Sequence, residues 1–273
     1  MRGISVAKDK HGIVVEKLAE ETVVSIFRSR KIHVKNNLVQ MTTNRNSKRE
    51  MNILDYLFSF VDPSDEELPV INTSIREICS IMGFGLSGSS YDSTRKALKN
   101  LTKTGYQFHS NISDKIIHSS AWLKSVSFGK DDLQVSITLN PVLANYLIFD
   151  TAEGGFTQYT INDTLPLNSK YTLDLFKLIK SFKNLGGVET TPKEIMNYFM
   201  RTNDSWSTFR NNYLKPAVDN INNSCSFEGF NIVINTILRN RKVAVLQLRL
   251  ERIPVEELPI IPMFNWLDEQ KKD

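Results

Sequence analysis

Arg210 and Asn211 stand early in a stretch of helical periodicity, and Arg239, Arg241 and Lys242 crowd a polar turn between two alternating apolar runs. Arginine can donate two hydrogen bonds to guanine O6 and N7, and asparagine can bind adenine N6 and N7. An exposed Arg-Asn pair near a helix start therefore suits base edges in a major groove. Ser207 and Lys215 lie on the same stretch and suit base or nearby phosphate contacts. The cationic turn suits phosphate, with the minor groove as a second target. Earlier in the chain, Tyr91, Ser93, Arg95, Lys96 and Lys99 belong to a second basic helix and suit mainly backbone contacts.

Such side chains need elements that hold them out, and the chain supplies those elements twice. In the first copy, residues 46–140, Met51, Leu54, Leu57, Phe58 and Val61 recur at helical spacing. A short β-like stretch from Pro69 follows, then Ser74 and Glu77 at capping-box spacing, with Ile75, Ile78, Ile81 and Met82 as the inner stripe. Glycines 83, 85 and 88 break this helix. Ser89 or Ser90 caps the next one, in which Ala97, Leu98 and Leu101 face inward and Gly105 is the stop.

The second copy, residues 168–250, opens with Tyr171, Leu175, Phe176, Leu178, Ile179 and Phe182. After Gly186 and Gly187, Thr191 and Glu194 form another capping box around Pro192. Residues 201–205 make a turn, and the helix expected at 206–222 buries Phe209, Leu214, Val218 and Ile221. Pro216 should kink that helix or end its first segment. Each copy closes with alternating strands, at 115–128 and 133–139 in the first and at 230–238 and 242–250 in the second. Ser74 and Thr191 are 117 residues apart and Ser89 and Ser205 are 116 apart, so the landmarks keep their order and spacing. A helix-turn-helix with a β wing, repeated once, is a plan for gripping a long DNA site.

The chain has 273 residues and a net charge of +4, and residues 256–273 carry −3 of it, leaving +7 on the rest. The excess gathers on the basic helices, the wings and a face with Lys177, Lys180 and Lys183, where it would attract phosphate. No apolar run is long enough to span a bilayer, and the start has no signal-peptide pattern. Cys79 and Cys225 read as small core residues of a reducing cytoplasm.

Other chemistry finds little support. G-x-G-x-x-G at 83–88 follows a helix, not a strand, and lacks the later carboxylate of a dinucleotide site. There is no phosphate-binding loop of the G-x-x-x-x-G-K-[ST] type, and His11, His33, His109 and His118 are scattered, which removes the usual ligands of a metal-dependent nicking enzyme. Asp55, Asp62, Asp65, Glu66 and Glu67 read as solvated rather than as a two-metal site. Trp206 and Tyr213 can stack on bases, but their places on an amphipathic helix favour packing. No catalytic residue, metal or cofactor is assigned.

At 167–180 (LNSKYTLDLFKLIK), 206–222 (WSTFRNNYLKPAVDNIN) and 239–243 (RNRKV), the chain resembles the plasmid replication initiator (Rep) family of theta-type, iteron-binding proteins. The resemblance covers about residues 35–252 and includes the segment at 36–41. Phe176 stands where the family usually has Tyr, and Asn220 where Glu is common. The resemblance implies two winged-helix domains. The second would read the major groove of direct repeats, and the first would contact backbone in the monomer and form the interface of an autorepressing dimer. It also implies melting of an AT-rich element and recruitment of the host initiator and replicative helicase.

The expected fold is α+β with two tandem winged-helix domains. The expected division is an N-terminal arm at 1–35, the first domain at 36–150, the second at 156–253 and an acidic, proline-containing tail at 254–273, with 150–155 as linker. The arm reads either as mobile or as a strand added to a neighbour. The expected function is a non-enzymatic, cytoplasmic bacterial initiator that binds double-stranded origin repeats, as a DNA-bound monomer in equilibrium with a homodimer, without membrane association. A two-domain winged-helix transcriptional regulator is the alternative. A nicking enzyme and a protein–protein adaptor are further rivals, separated by strand cleavage with a divalent metal and by salt-insensitive or absent DNA binding.

Overall fold

The computed structural model describes residues 20–109, 116–129, 134–224 and 229–253. Lys115, residues 130–132 of the first wing turn, Cys225 and the acidic tail lie outside them. The first half runs α1 (Glu20–Arg28), β1 (Lys31–Lys35), α2 (Asn36–Met41), β2 (Thr42–Asn44), α3 (Lys48–Phe58), β3 (Val70–Ser74), α4 (Ile75–Ile81) and α5 (Gly88–Leu101). Strands β4 (Gly105–His109), β5 (Ile116–Ala121), β6 (Leu123–Phe128) and β7 (Gln134–Leu139) follow, then a 3₁₀ turn and α6 (Ala144–Leu147). The second half runs β8 (Phe156–Thr160), α7 (Ile161–Thr164), α8 (Lys170–Ser181), β9 (Gly187–Thr190), α9 (Pro192–Tyr198) and α10 (Trp206–Phe209). A π-helical turn (Arg210–Leu214), α11 (Lys215–Ser224), β10 (Phe230–Arg239) and β11 (Lys242–Arg252) complete it.

The two halves share a topology. In each, a first helix (α3, α8) leads to a short strand, a second helix and a third. The hairpin that follows returns its second strand beside the short one, giving sheet orders β3-β7-β6 and β9-β11-β10. The apolar stripes expected of α3 and α8 are buried, including Met51, Leu54, Leu57, Leu175, Phe176 and Ile179. Among the described residues no helix is long and apolar enough to cross a membrane.

Local chemistry explains the boundaries and corrects several of them. α3 starts on a full capping box, with Ser47 Oγ accepting from Glu50 N at 3.3 Å and Glu50 Oε2 from Ser47 N at 2.7 Å. α9 starts on another, between Thr191 and Glu194. At α4 only half a box forms: Ser74 Oγ accepts from Glu77 N at 3.0 Å, while Glu77 Oε1 accepts instead from the Tyr56 hydroxyl at 3.2 Å. The cap of α5 is Ser87, neither Ser89 nor Ser90, and its Oγ accepts from Ser90 N at 3.3 Å.

Gly105 does not stop α5, which ends at Leu101; it opens β4. A Cβ there would lie 1.6 Å from the Ser120 carbonyl oxygen, so the glycine serves the close approach of β5. Gly187, at the start of β9, meets the Leu248 carbonyl oxygen in the same way at 2.1 Å. The strand expected at 115–128 is two strands broken at Trp122, because Ile116–Ala121 pairs with β4 whereas Leu123–Phe128 pairs with β7.

The segment expected as an arm is built into the body from Glu20 onward. β1 pairs antiparallel with β8, which opens the second half. Phe27, Ile32 and Val34 are buried, and Phe27 stacks on Tyr56 with ring centroids 5.2 Å apart. Arg28 Nε and Nη2 donate to the carbonyls of Ile81 and Ser80 at 2.6 and 3.0 Å, tying α1 to the end of α4.

The seam between the halves is polar and buried. Asp55, fully buried on α3, accepts from Lys177 Nζ at 2.6 Å and from the Tyr159 hydroxyl at 2.8 Å, both from the second half. Thr157 Oγ1 donates to Asn36 Oδ1 at 2.7 Å, and Gln40 Nε2 to Ser181 Oγ at 3.0 Å. The expectation of a solvated Asp55 is therefore overturned. The other half of the seam supplies a cation and a phenol that make its burial tolerable.

Candidate nucleic-acid interface

The candidate reading helix begins at Ser205, whose Oγ accepts from Thr208 N at 3.1 Å. The turn before it is held by Arg201, a residue that sequence reasoning did not single out. Its Nε donates to Asp204 Oδ2 at 2.7 Å, and its Nη2 donates to the Tyr213 hydroxyl. The signal available was an Arg and an Asp three residues apart in a turn facing a tyrosine, but only the fold brings Tyr213 there.

Helix continues from residue 206 to 224 without a break. Pro216 does not end it, so of the two expected effects the end of a first segment at the proline is not found. Proline lacks an N–H, and its ring crowds the carbonyl four residues back. The π turn at Arg210–Leu214 lies just ahead of it and widens the helix there. The same turn lets Phe209 and Leu214, five residues apart, both point into the core, each with 0% exposure.

Ser207, Arg210, Asn211 and Lys215 are all exposed. Ser207, Arg210 and Asn211 fall within about one turn and share a face. The neighbouring asparagines do structural work. Asn222 Oδ1 accepts from Ile232 N at 2.8 Å and its Nδ2 donates to Ile232 O at 2.9 Å, pinning the helix to β10. Asn220 Oδ1 accepts from Asn168 N at 2.9 Å and so anchors the start of the α8 segment. Trp206 and Tyr213 are half-buried in an aromatic cluster with Phe209 and Tyr171.

The wing of the second half is β10 and β11, joined through the Arg239–Lys242 pair. Asn240 and Arg241 have φ of 51° and 63°, the two left-handed residues of a type I′ hairpin turn. Asparagine suits its position, but arginine occupies one that favours glycine. Arg239, Asn240, Arg241 and Lys242 are all exposed.

In the first half, Ser93, Lys96 and Lys99 are exposed along α5, with Lys99 Nζ 5.4 Å from the centre of the Phe128 ring. Tyr91 is half-buried against the core. Arg95 is also half-buried and bonds Asp92 at 2.9 Å, so part of its charge is answered within the helix. The expected basic face at Lys177, Lys180 and Lys183 is not a free cationic face. Lys177 is spent on Asp55, and Lys180 lies 4.0 Å from Asp163 and over the Phe176 ring.

A family model described as initiator replication protein, WH1, matches residues 31–180, more than half of the chain. The chain belongs to the initiator replication protein family. The match begins at the first residue of β1 and ends within α8, so it takes in the β1–β8 pairing along with the first winged-helix unit. Its fold is α+β with two tandem winged-helix units.

Among solved structures, this initiator-family chain is similar to the Pi initiator protein crystallised in complex with iteron DNA. The TM-score is 0.65 at 12% identity, over 84% of this chain and 99% of that one. Domains 2 and 3 of RctB align with a TM-score of 0.47 at 16% identity, over 75% of this chain and 81% of that one. No curated protein sequence matches the chain.

Proposed function

We propose that this protein initiates plasmid replication by binding short direct repeats of double-stranded DNA at an origin, with no catalytic step of its own. The observation that carries this reading is the pairing of an exposed Ser207–Arg210–Asn211 helix face with an exposed cationic hairpin at residues 239–242. The helix face suits base edges in a major groove, and the hairpin suits the adjoining backbone. The iteron DNA bound to the structurally similar Pi initiator supports the same class of target.

The first unit is the gripping partner. Ser93, Lys96 and Lys99 present hydroxyl and ammonium groups suited to phosphate, without the Arg-Asn pair of the second unit. In this reading the first unit contacts backbone in the bound monomer and forms the interface of an autorepressing dimer. Bound monomers then promote melting of an AT-rich element and recruit the host initiator and helicase in the bacterial cytoplasm.

Footprinting of the full chain on the DNA upstream of its own gene tests the reading. Protection at regularly spaced direct repeats beside an AT-rich tract is the expected result. A single protected inverted repeat over the promoter would favour a transcriptional regulator, and no protection at any salt would remove DNA recognition altogether.

A further inference from the structure

We infer that the tip of the second wing is an apolar wedge for a DNA base step, with Leu238 as its leading side chain. This rests on the DNA-reading function proposed above and says what the wing does to the duplex.

The hairpin has two faces. On one, the cross-strand pairs Ile232↔Leu250, Ile234↔Leu248 and Thr236↔Leu246 run along the core, and Ile232, Leu246 and Leu248 are buried. Past Thr236 the core ends, and every residue from 236 to 242 is exposed. Leu238 lies on the core face beyond the end of the core. It is opposite Val243 and 61% exposed. A register shift between Ile237 and Leu238 marks a bulge, which increases local twist and re-aims the tip.

One exposed leucine needs no explanation in general. Its surroundings here supply one. Arg239, Arg241 and Lys242 follow it within four residues at the same hairpin tip, and the only acid in β10 and β11 is Glu251, near the far end of the hairpin. Arg241 is also held in a left-handed conformation that an arginine does not favour. An exposed apolar side chain at a cationic hairpin tip is poorly matched to water. It is well matched to a minor groove, where leucine or isoleucine side chains enter between base pairs while neighbouring cations neutralise the flanking phosphates. Ile237, 44% exposed, points to the opposite face and is not the leading residue.

The test uses the full chain and a duplex carrying the consensus it selects from random DNA, with 2-aminopurine placed at successive positions. Binding should brighten one step on the wing side severalfold. Leu238→Ala should return that signal to the level of free duplex and reduce the bend measured by end-to-end energy transfer, while affinity falls less than about tenfold. Leu238→Phe, a larger wedge, should keep both signals. Leu238 is exposed, so the melting temperature of the variants should match the parent and exclude misfolding.

If the parent binds the selected duplex but no position brightens, or if Leu238→Ala is as bright and as bent as the parent, the wedge is wrong while DNA reading stands. Loss of self-association in Leu238→Ala, with unchanged 2-aminopurine emission, would assign the tip to a second copy of the chain instead. If the full chain selects no sequence, DNA reading fails and the wedge fails with it.

Discussion

Arg210 lies within two turns of its helix cap and exposed, so its substitution separates base reading from stability. Arg210→Ala should cost about 1–3 kcal/mol of specific binding and relax preference at one base position, with no change in melting temperature. A titration against single-base variants of the site checks this, and equal losses on every variant would contradict it. Arg241 offers a different separation. Arg241→Gly should raise stability by up to about 1 kcal/mol, the left-handed penalty less the entropy glycine costs. It should also weaken binding to specific and random duplexes alike and shallow the salt slope by about 1. Urea melts and salt titrations on one preparation measure both. The exposure of Arg210 and Asn211 was legible from helical spacing. The role of Asn222 was not, because its partner Ile232 lies ten residues on, in β10.

At the scale of elements, the wide turn in the candidate reading helix has two candidate causes in the sequence, Pro216 and the five-residue gap between Phe209 and Leu214. An ordinary α-helix cannot bury both of those residues on one face, whereas a π turn can. Pro216→Ala should therefore change stability by less than about 1 kcal/mol and leave the footprint unaltered, because burial rather than the ring holds the turn. A large gain in stability with a shifted footprint would give the ring the leading role. The gap was visible in the sequence, but proline was read there as a kink or the end of a first segment. A helix absorbs it when core contacts lie on both sides.

The whole molecule is held together across the β1–β8 pair and the buried Asp55–Lys177–Tyr159 cluster. Asp55→Ala leaves a buried ammonium without its partner and should cost about 3–5 kcal/mol in a urea melt, with Asp55→Leu combined with Lys177→Met recovering most of it. A loss below about 1 kcal/mol would mean that the pair is solvated in solution. Asp174 is a separate case. Burial pushes its carboxyl up, against the pull of Lys170 and Lys177. A carboxyl that holds its proton more tightly when folded stabilises at acidic pH. That contribution is lost as pH rises from the ordinary aspartate value through the raised one. Asp174→Asn should therefore gain stability over the parent at neutral pH and lose that advantage in acid. Melts across the acid range that show a constant difference would refute this.

The sequence by itself determined the duplicated plan, most helix limits, the exposed Arg-Asn start of the candidate reading helix and the cationic hairpin. These depend on periods of two and 3.6 and on caps a few residues wide, all local in the chain. Tertiary structure alone decided that α1 and β1 belong to the body, that Asp55 and Lys177 are spent on each other and that Leu238 protrudes past the core. The first two depend on partners far along the chain, such as His33 and Gln158, 125 residues apart across β1 and β8, and no local pattern records who those partners are.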